Sequence, residues 1–159
     1  MLYHKEKDLD SIFSFISGHF SRRATLPIYS DEAVGLEKLR GVMNGVCSDT
    51  FYPTLIDKAT YLLIQINKGH CFSNGNKRIA LVITISFLAI NNKRIAPLFK
   101  ESYKGILRAL FPTFNDFEDH NDFFPEEFAL HNLSIIIADS NKYIGEGEDA
   151  FEVLKQKVS

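Results

Sequence analysis

The chain has 159 residues, of which 45% are hydrophobic and 24% are charged, and its formal net charge at pH 7 is −2. This composition is typical of a globular protein, and we expect one domain over residues 1–159. The slightly acidic balance argues against binding to nucleic acid by bulk electrostatic attraction, so we expect no direct nucleic-acid partner.

The cysteines and the apolar stretches indicate the compartment. Cys47 and Cys71 are too few for a disulfide framework and fit a reducing cytosol. The N-terminus has no apolar signal-peptide core, and the longest apolar stretch, residues 79–90, is too short to span a bilayer. We therefore expect a soluble, cytoplasmic protein that has no membrane partner.

The first third of the chain predicts two helices joined by a loop. Apolar residues recur at helical spacing over residues 5–17, and Gly18 suits the position just after a helix. Residues 19–30 are predicted to form a loop, and a second helix is expected over about 31–43.

The middle of the chain carries the strongest helical pattern. Residues 44–53 contain turn-forming residues without a helical period, which predicts a loop or a small hairpin. Thr54 or Asp57 is expected to open an amphipathic helix, and Gly69 is expected to end it. The next helix, from about 76 to 91, is apolar nearly all round, which indicates that it is central and buried.

The last third predicts further helices. We expect a helix over residues 100–110, an acidic and aromatic loop over 112–125, a helix from Pro125 through Ser140, and a final helix over about 147–157. Strand signals are weak throughout. The sequence therefore predicts an all-α domain.

The stretch HCFSNGNKRIA, which begins at His70, lies directly ahead of the predicted central helix. A helix N-terminus presents unpaired N–H groups and the positive end of the helix dipole, which suits an anion such as phosphate. Gly75 lets the backbone approach a ligand, and Asn76 can donate through its amide. Lys77 and Arg78 add positive charge. An imidazole at position 70 could take a proton near neutral pH.

A purely structural interpretation of this stretch stays open. Asn74 and Gly75 can form a simple tight turn, and Lys77 and Arg78 can be solvated residues at a helix start. That interpretation leaves two cations at a helix N-terminus, where the dipole disfavours them. A bound polyanion would remove this conflict.

The same residues carry a resemblance to a known family. HCFSNGNKR resembles the HxFx(D/E)GN(G/K)R signature of the Fic/Doc (Fido) family. Lys77 and the Ile-Ala-Leu that follows Arg78 resemble the Doc (death-on-curing) branch, as does the preceding YPTLIDKATYLLIQINKGH. The resemblance is specific over residues 52–92. It implies an all-α, Fic/Doc-type helical bundle with a central buried helix and a short flap, whose place is taken here by residues 44–53.

The resemblance implies an enzyme that moves part of a nucleotide onto a protein hydroxyl. Fic members transfer AMP, whereas Doc-type members transfer the γ-phosphate of ATP. By position, His70 would be the general base that activates the target hydroxyl. Gly75, Asn76 and Arg78 would form the anion hole. Lys77 would narrow or complete that hole, which favours a Doc-like, toxin-type kinase acting on Ser or Thr. Fic-type adenylyl transfer and a non-catalytic interaction module are the alternatives.

ATP, or another nucleoside triphosphate, and Mg²⁺ are the cofactors that the resemblance implies. The residue that usually binds Mg²⁺ in this signature is acidic, but Asn74 stands there in this sequence. An amide oxygen can ligate Mg²⁺ but brings no charge, so we expect weaker metal binding.

The implied partners are a nucleotide, a target protein such as a translation factor, and a separate antitoxin. Many family members carry their own inhibitory helix with the pattern (S/T)xxxE(G/N). Glu146 and Gly147 match its last two letters, but Lys142 stands where Ser or Thr belongs.

Other polar residues give weaker signals. We interpret His131 as a structural histidine within a helix and Arg22-Arg23 as a solvated pair. Cys71 is not expected to be a nucleophile, because adjacent side chains such as those of Cys71 and His70 rarely face each other productively. One acidic segment could in principle hold a metal, but its spacing does not encode ligand geometry, and we interpret it as a solvated loop. Its residues are Asp116, Glu118, Asp119, His120 and Asp122.

Overall fold

The structure, a computed structural model, describes residues 1–20, 27–120, 123–144 and 150–158. Within these residues the chain forms α-helices and one short 3₁₀ turn (Tyr29–Asp31), and it contains no strand. The prediction of an all-α fold is therefore confirmed. The helices are α1 (Glu6–Phe20), α2 (Ala33–Gly45), α3 (Leu55–Lys68), α4 (Asn76–Ile90), α5 (Lys100–Leu110), α6 (Pro125–Ala138), α7 (Ser140–Ile144) and α8 (Ala150–Val158).

Helix α4 lies at the centre of the fold, as its apolar sequence predicts. It packs against α1, α3 and α6. Residues on several of its sides are buried: Ile79, Ala80, Leu81, Ile83, Thr84 and Phe87. No helix in the described part of the chain is both long and apolar enough to cross a membrane. Because α4 is buried on several sides between Ile79 and Phe87, the polar stretch before it lies at one end of the core.

Helix α3 begins where the sequence predicts. The Thr54 hydroxyl accepts a hydrogen bond from the Asp57 N–H (3.0 Å), and the Asp57 carboxylate accepts one from the Thr54 N–H (3.0 Å). This reciprocal capping box satisfies two N–H groups that a helix start would otherwise leave unpaired. Gly69 follows the last turn, as expected, but its φ is −70°. The left-handed conformation that glycine usually supplies is taken by His70, with a φ of 41°.

A buried lysine in α3 binds the loop between α2 and α3. The Lys58 ammonium donates to the carbonyls of Val46 (2.8 Å) and Ser48 (3.1 Å) and lies 3.0 Å from the Asp49 carboxylate. Burial disfavours the ammonium, but hydrogen bonds with Asp49 and Tyr3 outweigh that cost and raise the pKa of Lys58. The segment predicted as a loop or a small hairpin is thus a loop, with no strand in it.

Two predicted helix ends are wrong. Helix α1 continues through Gly18 to Phe20, because the Phe20 side chain is buried in the core and extends the apolar face by one turn. The helix predicted to run through Ser140 breaks at Asp139, and the buried Ser140, which accepts a hydrogen bond from Lys68, starts α7. The start of the final helix predicted at residue 147 lies outside the described residues.

Candidate active site

A cavity of about 480 Å³ opens where α3 ends and α4 begins. We call it the site cavity. Its volume is within the range of small-molecule pockets, about 300–1,000 Å³. His70 and residues 74–78, which the sequence analysis singles out, all line it. Glu118, His120 and His131 line the same cavity. The fold thus brings the polar stretch to one wall of an open cavity and places a second set of polar side chains beside it.

His70 lies at the rim of the site cavity. Its side chain is exposed, and its backbone φ of 41° is a conformation that non-glycine residues rarely adopt. Such a conformation costs about 1–3 kcal/mol and persists where the surrounding structure imposes it. The preceding Gly69 is closely packed, since a Cβ there would lie 2.5 Å from the Gln65 carbonyl oxygen. The turn therefore presents an imidazole to solvent and to the cavity.

Gly75 caps α4 in a conformation that requires glycine. Its φ is 76°, and a Cβ at this position would lie 2.2 Å from the hydroxyl oxygen of Tyr29. The Gly75 carbonyl accepts hydrogen bonds from the N–H groups of Arg78 and Ile79, both at 3.1 Å. Tyr29 donates to the same carbonyl at 3.4 Å, and burial raises the pKa of Tyr29 to about 12, so the hydroxyl stays protonated.

Two asparagine side chains hold the turn itself. The Asn76 amide bridges the backbone of Phe72: its oxygen accepts from the Phe72 N–H (2.9 Å) and its nitrogen donates to the Phe72 carbonyl (2.7 Å). The Asn74 side-chain oxygen accepts from the Gly75 N–H at 2.7 Å. The Asn76 amide, expected to donate to an anion, and the Asn74 oxygen, expected to ligate Mg²⁺, are here engaged with the backbone of the loop.

Residues from the N-terminal third, which no sequence motif indicates, hold the loop from outside. The Glu32 carboxylate accepts from the Ser73 N–H (2.8 Å) and the Ser73 hydroxyl (2.5 Å), and these bonds lower the pKa of Glu32. Phe72 is buried and packs edge-on against Phe13 and Tyr29, with ring centroids 6.2 and 5.0 Å away. Phe72 therefore anchors the loop to the core.

The first turn of α4 makes the site cavity positive. Lys77 is exposed, and Arg78 is half-buried with its guanidinium 5.8 Å from the centre of the Phe20 ring. The N–H groups of residues 76 and 77 belong to the first turn, where a helix offers them no acceptor. Two cationic side chains, backbone N–H groups and the positive end of the helix dipole therefore converge on one wall.

One comparison with known protein families gives a match that includes the signature stretch. A family model described as the Fic/DOC family matches residues 13–88. This part of the chain matches Fic/DOC proteins. The match covers a little less than half of the chain and is to the family as a whole, without singling out the Doc branch. The search of curated proteins found no match, and neither did the search of solved structures.

The Fic/DOC match extends from α1 into the second half of α4 and so contains the whole signature stretch. The all-helical architecture of the described residues is consistent with the Fic/DOC helical fold. Glu32, Tyr29 and Phe72, which hold the loop in place, also lie inside the matched range. Helices α5 to α8 lie outside the match. Glu118, His120 and His131, which form what we call the second wall of the site cavity, also lie outside it.

Cys71, inside the Fic/DOC match, is buried, and burial raises the pKa of its thiol. A raised pKa keeps the thiol protonated at neutral pH, as expected for a cysteine that is not a nucleophile. Three of the weaker sequence candidates, Arg22-Arg23, Asp122 and the pair 146–147, lie outside the described residues.

The acidic segment before α6, beyond the Fic/DOC match, divides into two parts. Asp116 accepts hydrogen bonds from Lys142 and Tyr143, and Asp119 pairs with Lys100. Glu118, in contrast, accepts a 2.7 Å hydrogen bond from His131 and lies with His120 at the site cavity. The interpretation as a solvated loop is therefore incomplete for these residues.

His131 is satisfied by Glu118, as expected of a structural histidine, yet its ring also faces the site cavity. Burial is the main cause that lowers the pKa of His131, and the Glu118 carboxylate opposes it only in part. The hydrogen bond from His131 in turn lowers the pKa of Glu118.

Asn67, in the last turn of α3, is a further residue that the sequence analysis missed. It is buried, its nitrogen donates to the Leu63 carbonyl at 2.7 Å, and it lines the site cavity. Its side-chain oxygen is buried without a hydrogen-bond partner among the described residues. A buried acceptor of this kind favours a donor, from solvent or from a bound molecule, at this end of the cavity.

Proposed function

We propose that the chain belongs to the Fic/DOC family, that residues 1–159 form one domain of this family, and that it is a nucleotide-dependent, protein-modifying transferase. One observation carries this proposal. His70, a candidate general base, and the cationic first turn of α4 open onto a single cavity. The Fic/DOC match over residues 13–88 supports it, since it contains both.

The wall formed by the first turn of α4 suits the phosphates of a nucleotide. Backbone N–H groups and the helix dipole attract an anion without requiring side-chain movement. Arg78 is half-buried, which strengthens its interaction with a phosphate oxygen relative to one in bulk water. Gly75, which precedes this turn, lines the same cavity.

Replacing Arg78 with alanine is expected to weaken ATP binding about 10- to 100-fold, because a hydrogen bond to a charged group contributes about 1.5–3 kcal/mol. Isothermal calorimetry of ATP binding in the presence of Mg²⁺ measures the effect. Arg40→Ala is the matched control, since Arg40 pairs with Glu6 on the surface and does not line the site cavity. Equal dissociation constants for the Arg78 and Arg40 variants would mean that Arg78 is structural.

In the proposed reaction, the hydroxyl oxygen of a target Ser or Thr attacks the γ-phosphorus of ATP. A new phosphorus–oxygen bond forms, the bond between the γ-phosphorus and its bridging oxygen breaks, and ADP leaves. The His70 imidazole takes the proton of the attacking hydroxyl. The position of His70 at the exposed rim allows a segment of another protein to reach it, while Lys77 and Arg78 offset the charge on the phosphates.

We favour transfer of phosphate over transfer of AMP because of Lys77. In the AMP-transferring branch a glycine stands at this position and leaves room for the β- and γ-phosphates within the anion hole. The lysine side chain would crowd that space, so that the γ-phosphate points toward His70. Adenylyl transfer is the alternative, and the exposure of Lys77 favours it, since an ammonium turned into solvent leaves the hole open.

The loop does not fit a Mg²⁺ ion bound by the protein. The Asn74 oxygen is neutral and accepts the Gly75 N–H, and the Glu32 carboxylate is occupied by Ser73. Mg²⁺ favours carboxylate and phosphate oxygens. In our proposal the ion therefore accompanies ATP on its phosphates. Asn74 in place of the acidic residue of the signature also supports the alternative of a non-catalytic module that retains the anion pocket.

Asn74→Asp is expected to lower the Mg²⁺ concentration needed for half-maximal ATP binding at least about fivefold, because one added charge 4 Å away contributes about 1 kcal/mol even in water. The aspartate can still accept the Gly75 N–H, so the turn should persist. Titration of Mg²⁺ at fixed ATP, followed by calorimetry, measures this effect. Asn91→Asp, at the far end of α4, is the control. Identical Mg²⁺ dependence of the two variants would mean that residue 74 does not face the metal.

We further propose that the protein is the toxin of a toxin–antitoxin pair. Its target would be a protein such as a translation factor, and a separate antitoxin would inhibit it. The loop between α2 and α3 is the candidate surface for the target, since it exposes Phe51 and is held rigidly by Lys58. Lys142 stands at the serine or threonine position of the inhibitory pattern, and this mismatch favours an inhibitor on another chain.

A further inference from the structure

Two histidines and a glutamate converge at the second wall of the site cavity. The Glu118 carboxylate lies 2.7 Å from the Nε2 atom of His131 and 3.8 Å from that of His120. One ligand atom from each of the three residues lies within 4.8 Å of the other two. Nothing in the signature stretch or in the Fic/DOC match, which ends at residue 88, accounts for this cluster.

The backbone of Glu118 is fixed to the helix that carries His131. Asn132 is fully buried; its side-chain oxygen accepts from the Glu118 N–H (2.9 Å) and its nitrogen donates to the Glu118 carbonyl (2.9 Å). The same nitrogen donates to the Phe128 carbonyl within α6 (2.8 Å). Asn132 is adjacent to His131 in α6. Its two hydrogen bonds to the Glu118 backbone therefore place the Glu118 carboxylate against the His131 ring.

The two imidazoles are held by a common aromatic neighbour. The Phe123 ring is buried and packs against His120 (centroids 5.1 Å apart) and His131 (5.0 Å). The two histidine rings lie 5.5 Å apart at an interplanar angle of 74°. His120 is half-exposed, whereas His131 is largely covered. The cluster therefore has one hydrogen-bonded pair, Glu118 and His131, and one more exposed ligand, His120.

We propose that Glu118, His120 and His131 bind a first-row transition-metal dication of the Zn²⁺ class. Two imidazoles and one carboxylate are a known donor set for zinc with an open fourth position, whereas Mg²⁺ prefers oxygen ligands. Tetrahedral ligands at Zn–N distances of about 2.0–2.1 Å lie about 3.3 Å apart. Reaching this geometry requires rotation of the exposed His120 side chain and opening of the 2.7 Å hydrogen bond between Glu118 and His131, whose proton the metal displaces.

The open position of the metal would face the site cavity, which Lys77 and Arg78 also line. These cations lower the affinity for a dication in the absence of an anion, so the proposal needs the negative charge of Glu118. A bound dication would add positive charge to the site cavity beside the first turn of α4. Metal binding is independent of the transferase proposal, since the three ligands lie outside the signature stretch.

The test uses metal-free protein without a histidine tag and without nucleotide. Calorimetric titration with Zn²⁺ and visible absorption with Co²⁺ should give one saturable equivalent per chain, with the absorption of a four-coordinate site. His120→Ala should weaken Zn²⁺ binding at least about 10-fold, a loss that even an outer-shell partner of a metal site causes. His131→Ala and Glu118→Gln should weaken it likewise. His4→Ala is the control. His4 forms a hydrogen bond with Ser86, which lies ten residues along α4 from Asn76, so this variant should leave the Zn²⁺ affinity unchanged.

His120 is the decisive variant, since it lies in an exposed position and its replacement should leave the melting temperature within about 2 °C of wild type. Absence of saturable Zn²⁺ and Co²⁺ binding by the folded wild-type protein would overturn the proposal. Equal Zn²⁺ affinities of wild type and folded His120→Ala would also overturn it. Because no nucleotide is present, neither result depends on whether the protein transfers phosphate.

Discussion

Replacing His70 with alanine is expected to slow transfer about 10²–10⁴-fold, the usual contribution of a positioned general base. ATP affinity and helical content should remain close to those of wild type, because the His70 side chain is exposed at the rim and the first turn of α4 is unchanged. The rate of label incorporation from γ-labelled ATP into lysate proteins, measured beside calorimetric ATP binding, separates catalysis from binding.

His70→Gly provides a second readout at the same position. Glycine relieves the left-handed backbone strain, which costs a non-glycine residue about 1–3 kcal/mol. This variant should therefore be as inactive as His70→Ala but more stable to denaturant. His19→Ala is the matched control, since His19 pairs with Glu127 and does not line the site cavity. Wild-type transfer rates in either variant at position 70 would exclude His70 as the base.

Replacing Gly75 with alanine is expected to destabilise the fold by about 2–5 kcal/mol and to abolish ATP binding. The cost combines about 1–2 kcal/mol for a left-handed residue other than glycine with about 1–3 kcal/mol for overpacking. The added Cβ would lie 2.2 Å from the Tyr29 hydroxyl oxygen, and Tyr29 is itself buried. Unfolding in denaturant gives the free-energy change, and calorimetry gives the loss of ATP binding.

A double-mutant cycle with Tyr29→Phe tests the cause of the loss of stability. Removal of the hydroxyl removes the shortest clash, so Gly75→Ala should cost less in the Tyr29→Phe background, with a coupling of about 1 kcal/mol or more. Gly41→Ala is the control, since a Cβ at Gly41 meets nothing within 4 Å and alanine favours a helix interior. If the Gly75 variant is as stable as the Gly41 variant, the turn does not require glycine.

The helices around the signature could be predicted because their signals are local. Thr54 and Asp57 form a capping box within four residues, and the apolar sequence of α4 indicates burial without reference to other elements. The Asn74-Gly75 pair likewise predicts the turn from its own conformational preference. Each of these features depends on residues that are close in sequence, so the local sequence is sufficient to predict it.

The residues that hold and complete the site could not be predicted, because their partners are distant in sequence. Glu32 bonds Ser73 from 41 positions away, and Tyr29 contacts Gly75 from 46 positions away. The convergence of His131 on Glu118 depends on how α6 packs against the preceding loop. The Asn76 amide is suitable both for an anion and for the Phe72 backbone, and only the folded loop decides between them.

Mass spectrometry of the modified protein tests the transferase proposal most directly. Purified protein is incubated with ATP, Mg²⁺ and a cell lysate, in parallel with the His70→Ala variant, and peptides are searched for both adducts. We predict a phosphoryl group on a Ser or Thr of a lysate protein that is present with wild type and absent with His70→Ala. An adenylyl group dependent on His70 would overturn the kinase proposal, and the absence of any adduct dependent on His70 would contradict the transferase function itself.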